Sequence, residues 1–331
     1  MDEIRDAAAA VAAQSQSVRI SVVGLERLAA DLMRLKPPVW LKAHLAGEPT
    51  TPENDPVHYY DGTDRTIAYC LLLDAVNFCF WPAEFVVEMD GQEFGEASRY
   101  HGVAVALTRA FRAGRPLWEP DYLAQLDLPA MQEIFAAKRG EVPLLAERLE
   151  KMRNIGQVVA KKYSGDWTQV LTDANRFAPD VVRAVTRDFS AYHDFREYRG
   201  FRFPVLKRAQ IFVSDLAYLF GNQGLGQMTG LDQLTCFADY RLPQFMRDRG
   251  ALVYSPELDA RIAAGEVIPE GSLEEVEIRA NTIHVVELLR QRLSQSGHNY
   301  SSREIDYLIW EERVRIGKMS VRHHRTLTTC Y

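Results

Sequence analysis

No apolar run in the sequence reaches the roughly 18 residues that a membrane-spanning helix needs. A basic surplus is missing too. Lys and Arg number 39 against 45 Asp and Glu, a formal net charge of −6. That balance argues against a general nucleic-acid binder, although a local cationic pocket is still permitted. Cysteine is scarce: Cys70, Cys79, Cys236 and Cys330 are scattered, with no CxxC and no paired spacing. They read as buried or free thiols of a reducing compartment, not as a disulfide frame. The opening MDEIRDAAAAVAAQ starts acidic and lacks the basic segment of a signal peptide. It is expected to form an ordinary N-terminal helix of a cytoplasmic protein.

Familiar catalytic signatures are absent as well. There is no G-x-G-x-x-G after a strand, no Walker loop, no H-E-x-x-H and no G-x-S-x-G. The adjacent pair His323–His324 has neither nearby cysteines nor a helical ligand spacing, so no metal is expected. No repeat of 20–50 residues and no long Gly/Ser/Pro linker divides the chain; KPPVWL (36–41) and GEPTTPENDP (47–56) read as loops. With 331 residues and 47% apolar content, one compact domain over 1–331 with a sizeable core is expected.

What the sequence does have is helical periodicity. Apolar positions recur three and four apart over 24–35, 102–113, 128–138, 142–163, 180–189, 207–220, 273–293 and 302–316. Pro143 suits a first helical turn, and Ser272 followed by Glu275 forms a capping-box signature. Strand signals are few: FVVEMDGQEFG (85–95) carries a hairpin turn at Asp90–Gly91, and FRFPVL (201–206) is one further extended piece. The expected fold is mainly α, with one small β-hairpin.

The informative residues are ionisable groups on faces that patterning would bury. In TIAYCLLLDAVNFCFW (66–81), Asp74 has Leu71 one turn before it and Phe78 one turn after, and Asn77 shares that face. Such an Asp–Asn pair either satisfies backbone groups or faces a heterocycle walled by Phe78, Phe80 and Trp81. In KRAQIFVSDLAYLF, Asp215 lies on an apolar stripe eight residues after Lys207. The two are about 80° apart around a helix axis and could line one pocket without touching. Arg279 lies between Val276 and Ile283, with Glu275 as its i−4 neighbour; an Arg held inward needs a carboxylate or a phosphate. FADYRLPQF (237–245) sets Asp239 in a mostly apolar run at a loop-to-helix corner. Singly each case is more often structural; together they suggest a shared polar pocket.

The segments DAVNFCFW (74–81), LKRAQIFVSD (206–215), TCFADYRLPQ (235–244) and EVEIRA (275–280) resemble the queuosine salvage proteins. The likeness runs from the first helices to the aromatic Tyr331. It implies hydrolysis of the N-glycosidic bond of queuosine 5′-monophosphate, giving queuine, a 7-deazaguanine base, and ribose 5-phosphate. It also implies an all-helical fold akin to the helix-hairpin-helix DNA glycosylases, a catalytic Asp and a nearby Lys, which map onto Asp239 and Lys207. On this reading Asn77, Asp74 or Asp215 meets the guanine-like edge, and Lys207, Arg241 and Arg279 are candidates for the phosphate. Trp81, Phe78 and Tyr240 are candidate walls. A monomer acting on a small nucleotide without cofactor, nucleic acid or membrane is expected. The loop GNQGLGQMTG (221–230) and the region of His101 match no family pattern. A nucleic-acid base glycosylase and a non-catalytic queuine carrier are the alternatives.

Overall fold

The structure, a computed structural model, describes residues 1–37, 42, 48, 55–96 and 98–331. The loops expected at 36–41 and 47–56 therefore lie largely outside the described residues.

Helices α1 (Asp2–Gln14) and α2 (Val22–Arg34) flank strand β1 (Val18–Ile20). Helix α3 (Asp64–Ala75) leads to β2 (Phe85–Met89), β3 (Gln92–Phe94) and α4 (Arg99–Arg112). Then come α5 (Pro120–Ala124), α6 (Leu128–Ile134), β4 (Arg139–Gly140) and α7 (Leu145–Lys162). After α8 (Gln169–Thr172) and α9 (Ala178–Asp188), β5 (Phe195–Tyr198) and β6 (Phe201–Pro204) precede α10 (Lys207–Leu219). The remainder holds α11 (Arg241–Asp248), β7 (Leu252–Tyr254), α12 (Pro256–Ala264), α13 (Leu273–Gln295) and α14 (Ser302–Ile316).

The chain is thus mainly α, as its periodicity predicts. Helix α3 is buried from Thr66 to Ala75 and packs on α4, α7 and α10. A helix without a polar face belongs at the centre of a bundle. Helix α13, also largely buried, packs on α1, α2 and α14. One apolar core runs through all of these elements. Where α7 crosses α5, a Cβ on Gly156 would fall 2.6 Å from the Ala124 amide nitrogen, so only glycine permits the approach.

The β content exceeds the expectation of one hairpin. That hairpin forms as read, with Met89 paired to Gln92 and both Asp90 and Gly91 at positive φ. A second hairpin, β5–β6, turns at Arg199–Gly200, and β1 pairs with the distant β7. Two local signals also resolve differently. Leu144 adopts a left-handed conformation and α7 starts after it, so Pro143 stands outside the helix and its carbonyl accepts from Arg148 Nε at 2.9 Å. Ser272 caps the Glu275 amide at 3.2 Å, but the Glu275 carboxylate turns to Gly271 and Arg196, leaving the box half made. The reciprocal box is at Ser301–Glu304, on α14.

Candidate active site

A cavity of about 710 Å³ opens between the end of α3, the start of α4, α10, the corner before α11, and α14. Its size is that of a small-molecule site. Asp239, Lys207, Asp215, Asn77, Tyr240 and Arg241 all line it, although they come from three separate stretches of chain.

The corner carrying Asp239 is fixed atom by atom. The Thr235 amide donates to Gln210 Oε1 of α10 at 2.8 Å, and the Phe237 amide to Asp306 Oδ2 of α14 at 2.6 Å. The Ala238 carbonyl accepts from Arg279 Nε of α13 at 3.1 Å. Asp239 then caps α11: its Oδ1 accepts the amides of Arg241 at 2.7 Å and Leu242 at 3.0 Å. This end of a helix favours a negative charge. Oδ2 of the half-buried side chain takes no hydrogen bond or ion pair among the described residues. One oxygen holds the fold and the other is left to the cavity.

Lys207 opens α10 after Leu206, whose φ is +53°. Its amide donates to Asp194 Oδ2 at 3.1 Å, and its Nζ donates to the Asn77 carbonyl at 3.4 Å. Burial pushes the ammonium pKa down, against the opposing pull of Asp239.

Arg279, a phosphate candidate on sequence grounds, does not reach the cavity. It is fully buried, donates NH1 and NH2 to Asp194 at 2.8 Å each, and lies 4.2 Å from the Tyr331 ring centroid. Its carboxylate partner is thus chiefly Asp194, with Glu275 farther away at 3.7 Å. Burial alone would raise the Asp194 pKa, yet Arg279 holds it at about 2. Arg279 is an anchor for the loop before α11 and for the start of α10.

The helical face read through Asp74, Asn77 and Phe78 stops short, because α3 ends at Ala75. Asn77 still donates to Asp74 Oδ1 at 3.4 Å from beyond the helix end, and it lines the cavity. Asp74 itself sits behind the lining, wholly buried, with Oδ2 unpartnered among the described residues. Burial and the nearby Asp215 raise its pKa well above the ordinary carboxylate range. Phe78 and Trp81 turn away into a separate apolar cluster with Tyr240 and Tyr331, and Phe78 lies under Arg148. The wall they would have formed is supplied by Phe80 and Phe237.

Several lining groups escaped sequence reasoning. Asp215 Oδ1 accepts from Tyr307 Oη at 3.0 Å, and Oδ2 from Tyr100 Oη at 3.4 Å. Tyr100 Oη lies 2.8 Å from His58 Nε2, and His58 Nδ1 lies 2.5 Å from Asp55 Oδ2. Burial lowers the His58 pKa, but Asp55 and then Asp215 outweigh it and the net shift is upward. His101, in the unmatched region, lines the cavity edge-on to Trp310, and burial followed by His58 pushes it down to about 4. Arg99, Arg313 and Lys318 join Arg241 along the more exposed wall. Asp306 shows only half of the pattern that singled out Asp215: Ile309 follows it by one turn on α14, but Ser302 stands one turn before it. Asp55 and His58, i and i+3 in a loop, gave no periodic signal.

The family model for "Queuosine salvage protein" matches residues 57–331. A queuosine 5′-phosphate N-glycosylase/hydrolase of Sphaerobacter thermophilus is 38% identical over 324 residues, covering 97% of this chain and 95% of its own. Proteins of the same name from Dictyostelium discoideum and Mus musculus are 35% and 30% identical, over 81% of this chain and 79% and 82% of theirs. With one family model spanning most of the chain and relatives agreeing over most of their own length, the chain belongs to the queuosine salvage protein family.

Proposed function

We propose that the protein hydrolyses the N-glycosidic bond of queuosine 5′-phosphate, releasing queuine for salvage. The observation that carries the reading is Asp239, whose Oδ1 is spent on capping α11 while Oδ2 is left to a nucleotide-sized cavity. Breaking an N-glycoside builds positive charge at C1′ of the ribose. A fixed, partly desolvated carboxylate stabilises that charge more than a hydrated one, and it can also activate water or attack. Lys207 is the buried ammonium nearest this chemistry and balances the charge of Asp239.

The 5′-phosphate fits the wall formed by Arg99, Arg241, Arg313 and Lys318. Arg313 is the best placed, since its Nε is buried without a partner among the described residues. Lys207, at 4% exposure, lies too deep to share that task. The guanine-like edge is met by Asn77 and Asp215, with Asp74 supporting Asn77 from behind. The reading includes a single domain over 1–331, a monomer in the cytoplasm, and the kinship to helix-hairpin-helix DNA glycosylases expected of the family. Among the described residues no helix is long and apolar enough to cross a membrane.

The test is incubation with queuosine 5′-monophosphate followed by mass spectrometry. Queuine and ribose 5-phosphate in equal amounts support the proposal. Intact nucleotide, bound or free, would make the protein a carrier. Gel-shift titration with tRNA and duplex DNA separates off a nucleic-acid glycosylase.

A further inference from the structure

Resting on that reading, we infer that Asp306 is the acid that protonates the departing base, a catalytic role distinct from that of Asp239. A purine can leave after protonation at N7, but a 7-deazapurine has carbon at that position. Some other group must carry the proton, and the cavity offers one with the right placement.

Asp306 lines the cavity at 4% exposure. Its Oδ2 is engaged by the Phe237 amide at 2.6 Å, which leaves Oδ1 as the oxygen available to a ligand. No ion pair reaches it among the described residues. Around it stand Asp239 and Cys236 from the corner before α11, and Lys207 and Asp215 from α10. The other charges nearby are committed elsewhere. Glu287 of α13 binds Arg5, Arg290 and Ser302, and Arg241 of α11, which donates to the neutral Gln244, belongs to the phosphate wall. On α14 itself, Arg303 donates to Ser214 and Tyr307 to Asp215.

A buried carboxyl facing two carboxylates and one ammonium keeps its proton. Burial first, and then Asp239 and Asp215, carry the pKa of Asp306 up to about 8. The acid therefore holds its proton, uncharged, at neutral pH while Asp239, in a different setting, serves the sugar. Two carboxyls of unlike environment in one site divide acid and base work in this way.

In the step, the bond between C1′ and the base nitrogen breaks and its electron pair passes into the heterocycle. The Asp306 proton moves to a ring nitrogen of the base, leaving a carboxylate. Water adds its oxygen to C1′; one of its protons stays on the new hydroxyl, and the other is released through Asp239 and replaces the proton spent. Nucleotide and water become queuine and ribose 5-phosphate, with no further reactant.

The experiment compares queuosine 5′-monophosphate with 4-nitrophenyl β-D-ribofuranoside 5-phosphate, whose nitrophenolate leaves without a proton. For Asp306→Asn, kcat on the nucleotide should fall by roughly 10²–10⁴-fold, the range of general acid catalysis, with KM little changed. On the nitrophenyl substrate the same variant should lose far less, whereas Asp239→Asn should lose both. In the unmodified enzyme the nucleotide profile should fall at alkaline pH and the nitrophenyl profile should not, a readout that needs no variant. An alkaline limb shared by both substrates would point to Lys207 instead and overturn the assignment. Equal losses on the two substrates in Asp306→Asn, or undiminished queuine release, would overturn it as well. If the unmodified enzyme releases no queuine at all, it is the proposed function that fails.

Discussion

Asp194 grips Arg279 with both carboxylate oxygens, at 2.8 Å to NH1 and 2.8 Å to NH2, while the same Oδ2 accepts the Lys207 amide at 3.1 Å. The pair therefore ties the start of α10 to α13, and through the Ala238 carbonyl it reaches the corner that carries Asp239. A buried ion pair of this kind is judged by what remains when one half is removed.

Arg279→Met should destabilise the fold by about 3–5 kcal/mol, because Asp194 would stay buried and charged without its partner. Urea unfolding measures this. A loss below about 1 kcal/mol would mean that other groups satisfy Asp194.

Asp239→Asn keeps an oxygen that can accept the Arg241 and Leu242 amides, so the cap should survive while queuine release falls by at least ~10²-fold. Asp239→Ala should lose the same activity and, in addition, about 1 kcal/mol of stability. Equal unfolding midpoints for the two variants would show that the cap is not sustained by this side chain.

Arg313→Ala removes a half-buried cation whose Nε has no partner among the described residues. It should raise KM for the 5′-monophosphate by roughly 10-fold or more, the worth of a hydrogen bond to a charged group, and leave the free nucleoside almost unaffected. Equal changes on both substrates would move the phosphate elsewhere on the wall.

The Asp55–His58 pair makes stability depend on pH at both ends. His58 is raised above its ordinary 6.5, so its contribution is complete below that pH and fades as pH climbs through the folded value. Asp55 is lowered from 3.8 to about 2: burial alone would raise it, but His58 and the loop amides outweigh that. Its contribution is present above pH 3.8 and is lost as pH falls through about 2. Asp306, raised from 3.8 to about 8, opposes stability increasingly as pH rises from 3.8 to about 8. Denaturant titration of His58→Gln from pH 6 to 9 should show a shallower decline than the parent; an unchanged slope would detach His58 from the effect.

Much of this was legible in the sequence because helices advertise themselves by period. Helices α10 and α13 occupy nearly the residues their apolar spacing marks, and Lys207 and Asp215 share a cavity as their angular separation allows. Failures came where period ends. Asn77, Phe78 and Trp81 were placed by extending α3 past Ala75, and only Asn77 reaches the cavity. Arg279 was correctly turned inward, but its partner Asp194 stands 85 positions away and no local pattern could name it. The strand pair β1–β7 is hidden for the same reason: each strand has three residues, too few to show alternation.

The cavity wall draws on Asp55 and on Lys318, and on five helices between them. The reacting groups Lys207, Asp239 and Asp306 stand far apart along the chain and meet only in the folded cavity, so catalysis reports on the tertiary assembly as a whole. Turnover should vanish in step with loss of the native fold, and a graft of the Asp239 corner alone into another scaffold would carry the cap but not the reaction.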